Sequence, residues 1–444
     1  MRGHVLQQGL GRTARLPEGD PAVTSLAPDA AWGRPDTRAL APSALTIAIA
    51  VVMLLIYTGG WQLPLFGEKT DESSSGLLRV AFLPAYGLAF LLVLARPWTM
   101  VRVTIRQPFL IILMGVVAAS IFWSIQPDVS IRRGFAVGCT TVSGLALAAR
   151  FRWAELARVF ATTFCVLIIA SYIACIAFPS IGIMTELFPG AWRGLWLEKN
   201  SLGGMMALGC CILCGAALLD PQRKGVWLTF AALAVGLVIM SQSKTSLASL
   251  MLGLMALAFV WICQRGPALA AAATWAGVTG FLLLAAFIVF ASDVFFGILG
   301  KDATLTGRTQ IWTAAFRQIE QRPWLGYGYA AVWSDKSGWG PLAWIVHDAK
   351  FTPQHAHNSW IEQLIGMGVV GLVAWGFFYL QTMTLAIIAV FRNRGAMLAF
   401  PFLVVFTLVS LTESIAVVYN DFRWAVFVAL AAKLAFSDKA QDEA

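Results

Sequence analysis

Charge is scarce in this chain. Of its 444 residues 12% are charged and 59% are hydrophobic, and that leaves too little charge to cover the surface of a soluble domain of this size. Histidine is scarcer still, with 4 in all. There is no P-loop, no Rossmann glycine fingerprint and no Asp-x-Asp metal–nucleotide motif. Their absence argues against ATP-driven work and against a nucleotide-bound donor. No internal repeat is present. The seven cysteines, Cys139, Cys165, Cys175, Cys210, Cys211, Cys214 and Cys263, all fall in apolar runs or at their ends. No disulfide framework and no structural zinc is therefore expected. Cys211-x-x-Cys214 has redox spacing, but on a lipid-buried helix it reads as small-residue packing.

What is present is a series of long apolar runs. A helix crossing the hydrocarbon core takes about 20 apolar residues. Hydropathy gives about twelve such runs, at 43–58, 77–95, 108–124, 133–150, 156–178, 201–219, 226–241, 245–263, 267–291, 359–391, 396–412 and 421–436. The expected fold is all-α: a polytopic membrane helix bundle of about 12 transmembrane helices, spanning 43–436. Residues 1–42, rich in Gly, Pro, Ala and Arg without apolar periodicity, read as a disordered tail, too polar for a signal peptide. Residues 437–444 form a short C-terminal tail. The net charge of +9 is no argument for nucleic acid, because surplus Lys and Arg in a membrane protein set orientation. Arg96–Arg106, Arg150–Arg152, Arg223–Lys224, Arg265 and Arg392–Arg394 gather on one side. The positive-inside rule puts that side, with both termini, in the cytoplasm.

One large connecting segment, 292–357, then faces outward and should contain short helices. It holds three of the four histidines, His347, His355 and His357, and seven Trp and Tyr residues. Disordered segments are poor in aromatics, so this loop should be ordered. Its aromatics read either as an interfacial belt, above all Trp339 and Trp344, or as a stacking platform for sugars. Thr309–Gln321 reads as an amphipathic helix with Ile311, Trp312, Ala315, Phe316 and Ile319 on one face. Arg308 projects onto that apolar face, where it needs an anionic partner or snorkels to lipid phosphate. At the loop's end Asn358 or Ser359 is an N-cap. His357 then stands at the positive end of a helix dipole, which favours a neutral imidazole able to accept a proton. It reads as a general base, as an interfacial histidine without a role, or with His355 and His347 as a weak metal pattern. Gly366, Gly368 and Gly371 let another backbone come close.

Earlier outward segments carry further cations. Arg193 and Lys199, in Trp192–Asn200, have the chemistry of a phosphate clamp, and the planar fork of arginine suits a pyrophosphate. Lys244, in Ser241-Gln-Ser-Lys-Thr245, is a third outward cation or a plain loop lysine. Few ionisable residues lie in or beside the spans; Arg79 and Glu413 stand out.

Taken together, these segments resemble the O-antigen ligase and Wzy-type polymerase superfamily. The resemblance rests on Thr306-Gly-Arg308-Thr-Gln-Ile-Trp312, Arg322-Pro-Trp-Leu-Gly326-Tyr-Gly328, His357-Asn358 with Gly368, Arg193 to Gly203 and Ser241 to Thr245. It covers roughly 45–435, and the Ser-Gln-Ser-Lys turn looks most like the exopolysaccharide polymerases, with lysine where arginine is common. The resemblance implies glycosyl transfer from an undecaprenyl-diphosphate-linked oligosaccharide at the periplasmic face of a bacterial inner membrane. It implies no cofactor and no metal. Arg193 and Arg308 would hold the diphosphate and His357 would deprotonate the acceptor hydroxyl, with inversion at the anomeric carbon. Lys244, Lys199, Asn358 and Glu413 are secondary candidates. The expected partners are the lipid-linked oligosaccharides, membrane lipids, a chain-length regulator and an export complex, and no nucleic acid. The alternatives are a ligase that moves finished glycan to lipid A-core or protein, and a flippase.

Overall fold

The computed structural model describes residues 42–67, 72–186, 188–290, 307–335 and 337–436. Residues 1–41 of the expected tail, loop residues 291–306 and the C-terminal stretch 437–444 lie outside the described residues. The chain is all-helical. Among the described residues, extended pairing is confined to one isolated bridge between Ile183 and Trp192.

Helix occupies each of the twelve apolar runs, from Ala44–Tyr57 to Phe422–Ala435. Among the described residues, six helices are long and apolar enough to cross a bilayer: Gly76–Ala95, Trp153–Ala177, Lys199–Leu219, Pro221–Met240, Lys244–Cys263 and Ser359–Arg392. A seventh results if Pro97–Ile105 and Pro108–Trp123, bent by 90°, form one broken span. Ala44–Tyr57 and Ala396–Ser410 are shorter apolar helices. Ala44–Tyr57 has 14 residues, about 21 Å at 1.5 Å per residue, against a hydrocarbon core of about 30 Å. Length and composition therefore give six or seven candidate spans among the described residues, and the count of twelve remains a sequence expectation.

Lipid gives helices no hydrophobic reason to associate, so packing and interhelical hydrogen bonds hold the bundle. Lys199–Leu219 is central and packs against Trp153–Ala177, Lys224–Met240, Lys244–Cys263 and Ala396–Ser410. Phe422–Ala435 is apolar almost all round and buried along its length against Pro127–Arg150, as a helix without a polar face must be. Trp375, Phe378, Trp424 and Phe427 interlock beside it. Gln107 donates from Nε2 to the Ala431 carbonyl at 3.1 Å and accepts from Gln381 Nε2 at 3.1 Å. Such bonds contribute roughly 0.6–2 kcal/mol each in a bilayer.

The feature that positions the site is a break in Ser359–Arg392. Gly368 departs from helical geometry with φ 65° and ψ −164°. The turn at 323–328 runs against the break and pairs with it. Tyr327 N–H donates to Ile365 O at 3.1 Å and Gly328 N–H to Gly366 O at 2.8 Å. Val369 N–H donates to Pro323 O at 2.8 Å. A Cβ on Gly368 would lie 2.3 Å from the Trp324 carbonyl, and one on Gly326 would lie 2.7 Å from Gly368 N. Only glycine at both positions permits this approach, and the loop satisfies the backbone groups that the break frees. Gly371, by contrast, faces Met367 of its own helix.

The described part of the long connecting segment packs a small core with the start of Ser359–Arg392, in which Ala314, Ala315, Ile319, Tyr327, Val332, Ile345, Ala356, Ile361 and Ile365 come together. The helix Arg308–Gln321 buries Ile311, Ala314, Ala315, Gln318 and Ile319. That face is rotated from the one expected: Phe316 is 45% exposed. The small Ala314 and Ala315 allow close packing, and Tyr327 Oη donates to the Gln318 carbonyl at 2.9 Å, which turns that side inward. Trp339 is 79% exposed and Trp344 55%, so neither builds this core.

Candidate active site

The end of the outer loop is held by its helix cap. Asn358 Oδ1 accepts from Trp360 N at 2.9 Å and Ile361 N at 3.1 Å, the geometry of an N-cap. Its Nδ2 donates to Leu411 O at 3.2 Å. Ser359 Oγ donates to the Glu413 carbonyl at 2.9 Å and accepts from Ile415 N at 2.9 Å and Ala416 N at 3.1 Å. These two residues dock the turn 411–416 onto the helix start and bring Glu413 to His357. The start of the loop arrives by a third bond, from Trp312 Nε1 to Ala356 O at 2.8 Å.

Three side chains from distant parts of the chain then form one connected line. His357 Nδ1 lies 3.0 Å from Glu413 Oε2, and Arg308 Nη2 donates to Glu413 Oε1 at 2.7 Å. Arg308 therefore has a protein carboxylate as its partner. All three groups are partly buried, at 17–28% exposure. Burial alone would raise the Glu413 carboxyl. The hydrogen bond and charge of His357 and the charges of Arg308 and His355 outweigh burial and hold the carboxyl below the ordinary carboxylate range. An ionised carboxylate only accepts, so in neutral His357 the hydrogen sits on Nδ1 and Nε2 presents its lone pair. His357 has φ +51°, a left-handed conformation rare outside glycine. Strain of this kind persists where surrounding contacts over-determine it, often at functional sites.

His355 supports His357. The His357 N–H donates to His355 Nδ1 at 3.2 Å, and the two ring centroids are 4.0 Å apart. Burial, with His357, Arg423 and Arg308 nearby, pushes the His355 imidazole down to about 4 against the pull of Glu413. Its neutral ring is thus coupled to folding. Between its ordinary value of 6.5 and about 4, the unfolded chain binds a proton that the folded chain does not. Stability should therefore fall as pH drops through that window, by on the order of 2 kcal/mol. Glu413, also depressed, adds to the loss at the lower end. The unfolding temperature is expected to decline from pH 7 to pH 4.5, and His355→Gln should flatten much of that slope. An equal slope in the variant would refute the assignment.

Glu362 is the buried brace of the site. Its carboxylate accepts from Trp333 Nε1, from Ala356 N at 3.0 Å and from Ser414 Oγ at 3.1 Å. It thereby ties the loop's middle, the loop's end and the turn 411–416 to one helix. Reading the sequence for ionisable groups passes over Glu362, although Ser359-x-x-Glu362 is a capping-box spacing that points to it. Next to this brace lies a cavity of about 310 Å³ whose walls include Arg133, Tyr329, Trp333, His355, Glu362 and Tyr419.

The other expected site residues are Arg193, Lys199 and Lys244. Arg193, 6% exposed, donates from Nε to Ile181 O at 2.8 Å and from Nη2 to Ser180 O at 3.1 Å. These bonds brace its own loop, and they do not join it to Arg308 or His357. Lys199 stands 3.7 Å over the Phe188 ring. Lys244 is exposed at the start of its helix, and the preceding Ser243 donates from Oγ to Asn200 Oδ1 at 2.8 Å.

His355, His357 and Glu413 also place three metal-type donor atoms within 4.8 Å of one another, a His₂Glu set of the kind that holds zinc. The His355 and His357 Nδ1 atoms are both engaged within the cluster, and Arg308 occupies one carboxylate oxygen. A cation held there through the imidazole Nε2 atoms would be opposed by the adjoining Arg308 guanidinium.

Residues 229–376 match the family model described as O-antigen ligase. That stretch contains Arg308, His355, His357, Asn358 and Glu362, while Arg193 and Glu413 lie outside it. Over 279 residues the chain is 28% identical to the exopolysaccharide production protein ExoQ of Rhizobium meliloti (strain 1021), a match covering 57% of this chain and 59% of that relative. The chain is thus similar to the O-antigen ligase and Wzy-type superfamily, on its exopolysaccharide side.

Proposed function

We propose that this chain, as a relative of the O-antigen ligases and of an exopolysaccharide production protein, is a membrane glycosyltransferase that polymerises undecaprenyl-diphosphate-linked oligosaccharide repeats at the periplasmic face of a bacterial inner membrane. The observation that carries the reading is the line Arg308–Glu413–His357, in which one carboxylate orients both a guanidinium and an imidazole. The acceptor hydroxyl gives its proton to His357 Nε2 as its oxygen forms a bond to the anomeric carbon of the donor. The bond from that carbon to the diphosphate oxygen breaks, and its electron pair leaves with the diphosphate. Arg308 stabilises the charge that grows there, which is worth most in the transition state. Arg193 is the second candidate for the diphosphate.

A hydroxyl is a weak nucleophile, so a positioned base contributes about 10²–10⁴-fold. Glu413 is engaged on both oxygens and is poorly placed to act as a covalent nucleophile, which favours single displacement with inversion. The guanidinium supplies the electrophilic role that a metal plays elsewhere, so the reaction runs without one. A transporter would carry its ionisable groups mid-membrane, whereas here Arg308 and His357, from the two ends of one loop, meet Glu413 of the turn 411–416. The family description favours a ligase as the second reading. Purified protein given lipid-linked repeat alone should yield a ladder of products, unaffected by chelator. A strict need for a separate acceptor would make it a ligase, and activity lost in chelator and restored by zinc would overturn the metal-free mechanism.

A further inference from the structure

The reaction as proposed leaves the cavity beside His355 without a role. At about 310 Å³ it sits at the small end of ligand pockets, roughly 300–1,000 Å³, a size suited to one sugar ring and too small for a whole repeat. Its walls combine aromatic faces from Tyr329, Trp333 and Tyr419 with hydrogen-bonding side chains from Arg133, Gln354 and Gln363. Rings beside planar polar groups are the chemistry that grips a pyranose, whose faces are apolar and whose rim is hydroxylated.

The backbone around the cavity is held in unusual conformations. Ala330 and Val417, both on its wall, have φ +54° and +55°. For a β-branched residue such as valine that is a true outlier. Each is fastened by a cavity residue: Arg133 Nη1 donates to Ala330 O at 2.6 Å, and Tyr329 Oη to Val417 O at 2.7 Å. The guanidinium of Arg133 also lies 5.2 Å from the centre of the Tyr419 ring. Among the described residues Arg133 makes no direct salt bridge; it acts on Glu362 only at longer range, and Glu362 already accepts three hydrogen bonds. Arg133 thus retains donors for a ligand oxygen.

Position decides which substrate the cavity serves. His355 is part of its wall and packs against His357, with ring centroids 4.0 Å apart, while Arg308 does not line it. The diphosphate of the donor belongs with Arg308, so the cavity lies on the base side, where the acceptor must come. We propose that the cavity seats a sugar ring of the acceptor chain, and that Arg133 and Tyr419 select that ring. This rests on His357 being the base, and the test separates the two ideas by measuring binding without turnover.

The probe is the soluble oligosaccharide repeat, released from the cell's own lipid-linked pool by mild acid. Its binding to the full-length His357→Ala chain in lipid nanodiscs is measured by calorimetry. Adding Arg133→Gln is expected to weaken binding about tenfold or more. Val418→Phe, which narrows the cavity and removes no hydrogen bond, should do the same independently. Arg317→Ala, on the loop's outer face, should not. In the catalytically intact chain, Arg133→Gln should raise the acceptor KM about tenfold with kcat within about threefold and the donor KM unchanged. Unaltered oligosaccharide binding in both cavity variants, at the wild-type unfolding temperature, overturns the proposal, as does an effect confined to the donor KM. If His357→Ala keeps full polymerisation while Arg133→Gln still abolishes binding, the base assignment falls and the cavity assignment stands.

Discussion

Replacing His357 with alanine is expected to cut polymer formation by about 10²–10⁴-fold, the range a general base supplies, while protein abundance stays near wild type and lipid-linked repeats accumulate. The size of the effect follows from geometry. His357 is held by Glu413 at Nδ1 and by its own backbone bond to His355, so Nε2 has a fixed direction. Alanine removes that atom without filling its place. The fold should tolerate the change, because the side chain is partly exposed at 28% and the cap residues Asn358 and Ser359 keep their bonds. Glu413→Gln is expected to cost less than His357→Ala, since the imidazole remains but loses the carboxylate that fixes its tautomer and steadies its positive charge after proton transfer. The decisive measurement is product chain length and turnover with purified protein. Wild-type chain lengths at wild-type rates from His357→Ala would end the assignment.

The parts of this site that could be read from sequence are those encoded locally. Apolar runs specify helices because lipid leaves the backbone no other partner, and a helix lies on every one of them. A cap at Asn358 or Ser359 could be read from the neighbouring residues alone, and the structure gives it to Asn358. The position of Arg308 on an apolar helix face demanded an anion, which is a statement about one turn of helix. Naming that anion as Glu413, 105 residues further on, needs the docking of the turn 411–416 by Ser359, and no periodicity encodes that. The same limit applies to Arg193. Its residue type suits a diphosphate, but its described bonds to Ser180 and Ile181 depend on how a short loop folds back. The break at Gly368 was half legible: three glycines signal close approach, but hydropathy runs straight through them. The rotation of the 308–321 helix, with Phe316 outside and Ala314 inside, arises from what packs against it and is not in its own periodicity.

Removing Arg308 is expected to produce the second large effect, and it distinguishes a working line of residues from three neighbours. Arg308→Ala should lower kcat by about 10²–10³-fold, the typical cost of losing one preorganised donor at a developing oxyanion. Arg308→Lys should recover only part of this, because an ammonium keeps the charge but not the planar fork that meets a carboxylate and a diphosphate together. Loss of the guanidinium also removes one of the charges that hold Glu413 down. The carboxyl should move back up, and the acidic limb of the pH–rate profile should shift to higher pH with it. If Arg308 acts partly through Glu413, then Arg308→Ala and Glu413→Gln cannot be independent. The double variant should be less impaired than the product of the two single effects, with a coupling of about 1 kcal/mol or more, since residues in one hydrogen-bonded network typically couple by 0.5–3 kcal/mol. Rates that multiply within about 0.5 kcal/mol, together with an unshifted acidic limb, would mean that the ion pair is incidental and that Arg308 meets its substrate without Glu413.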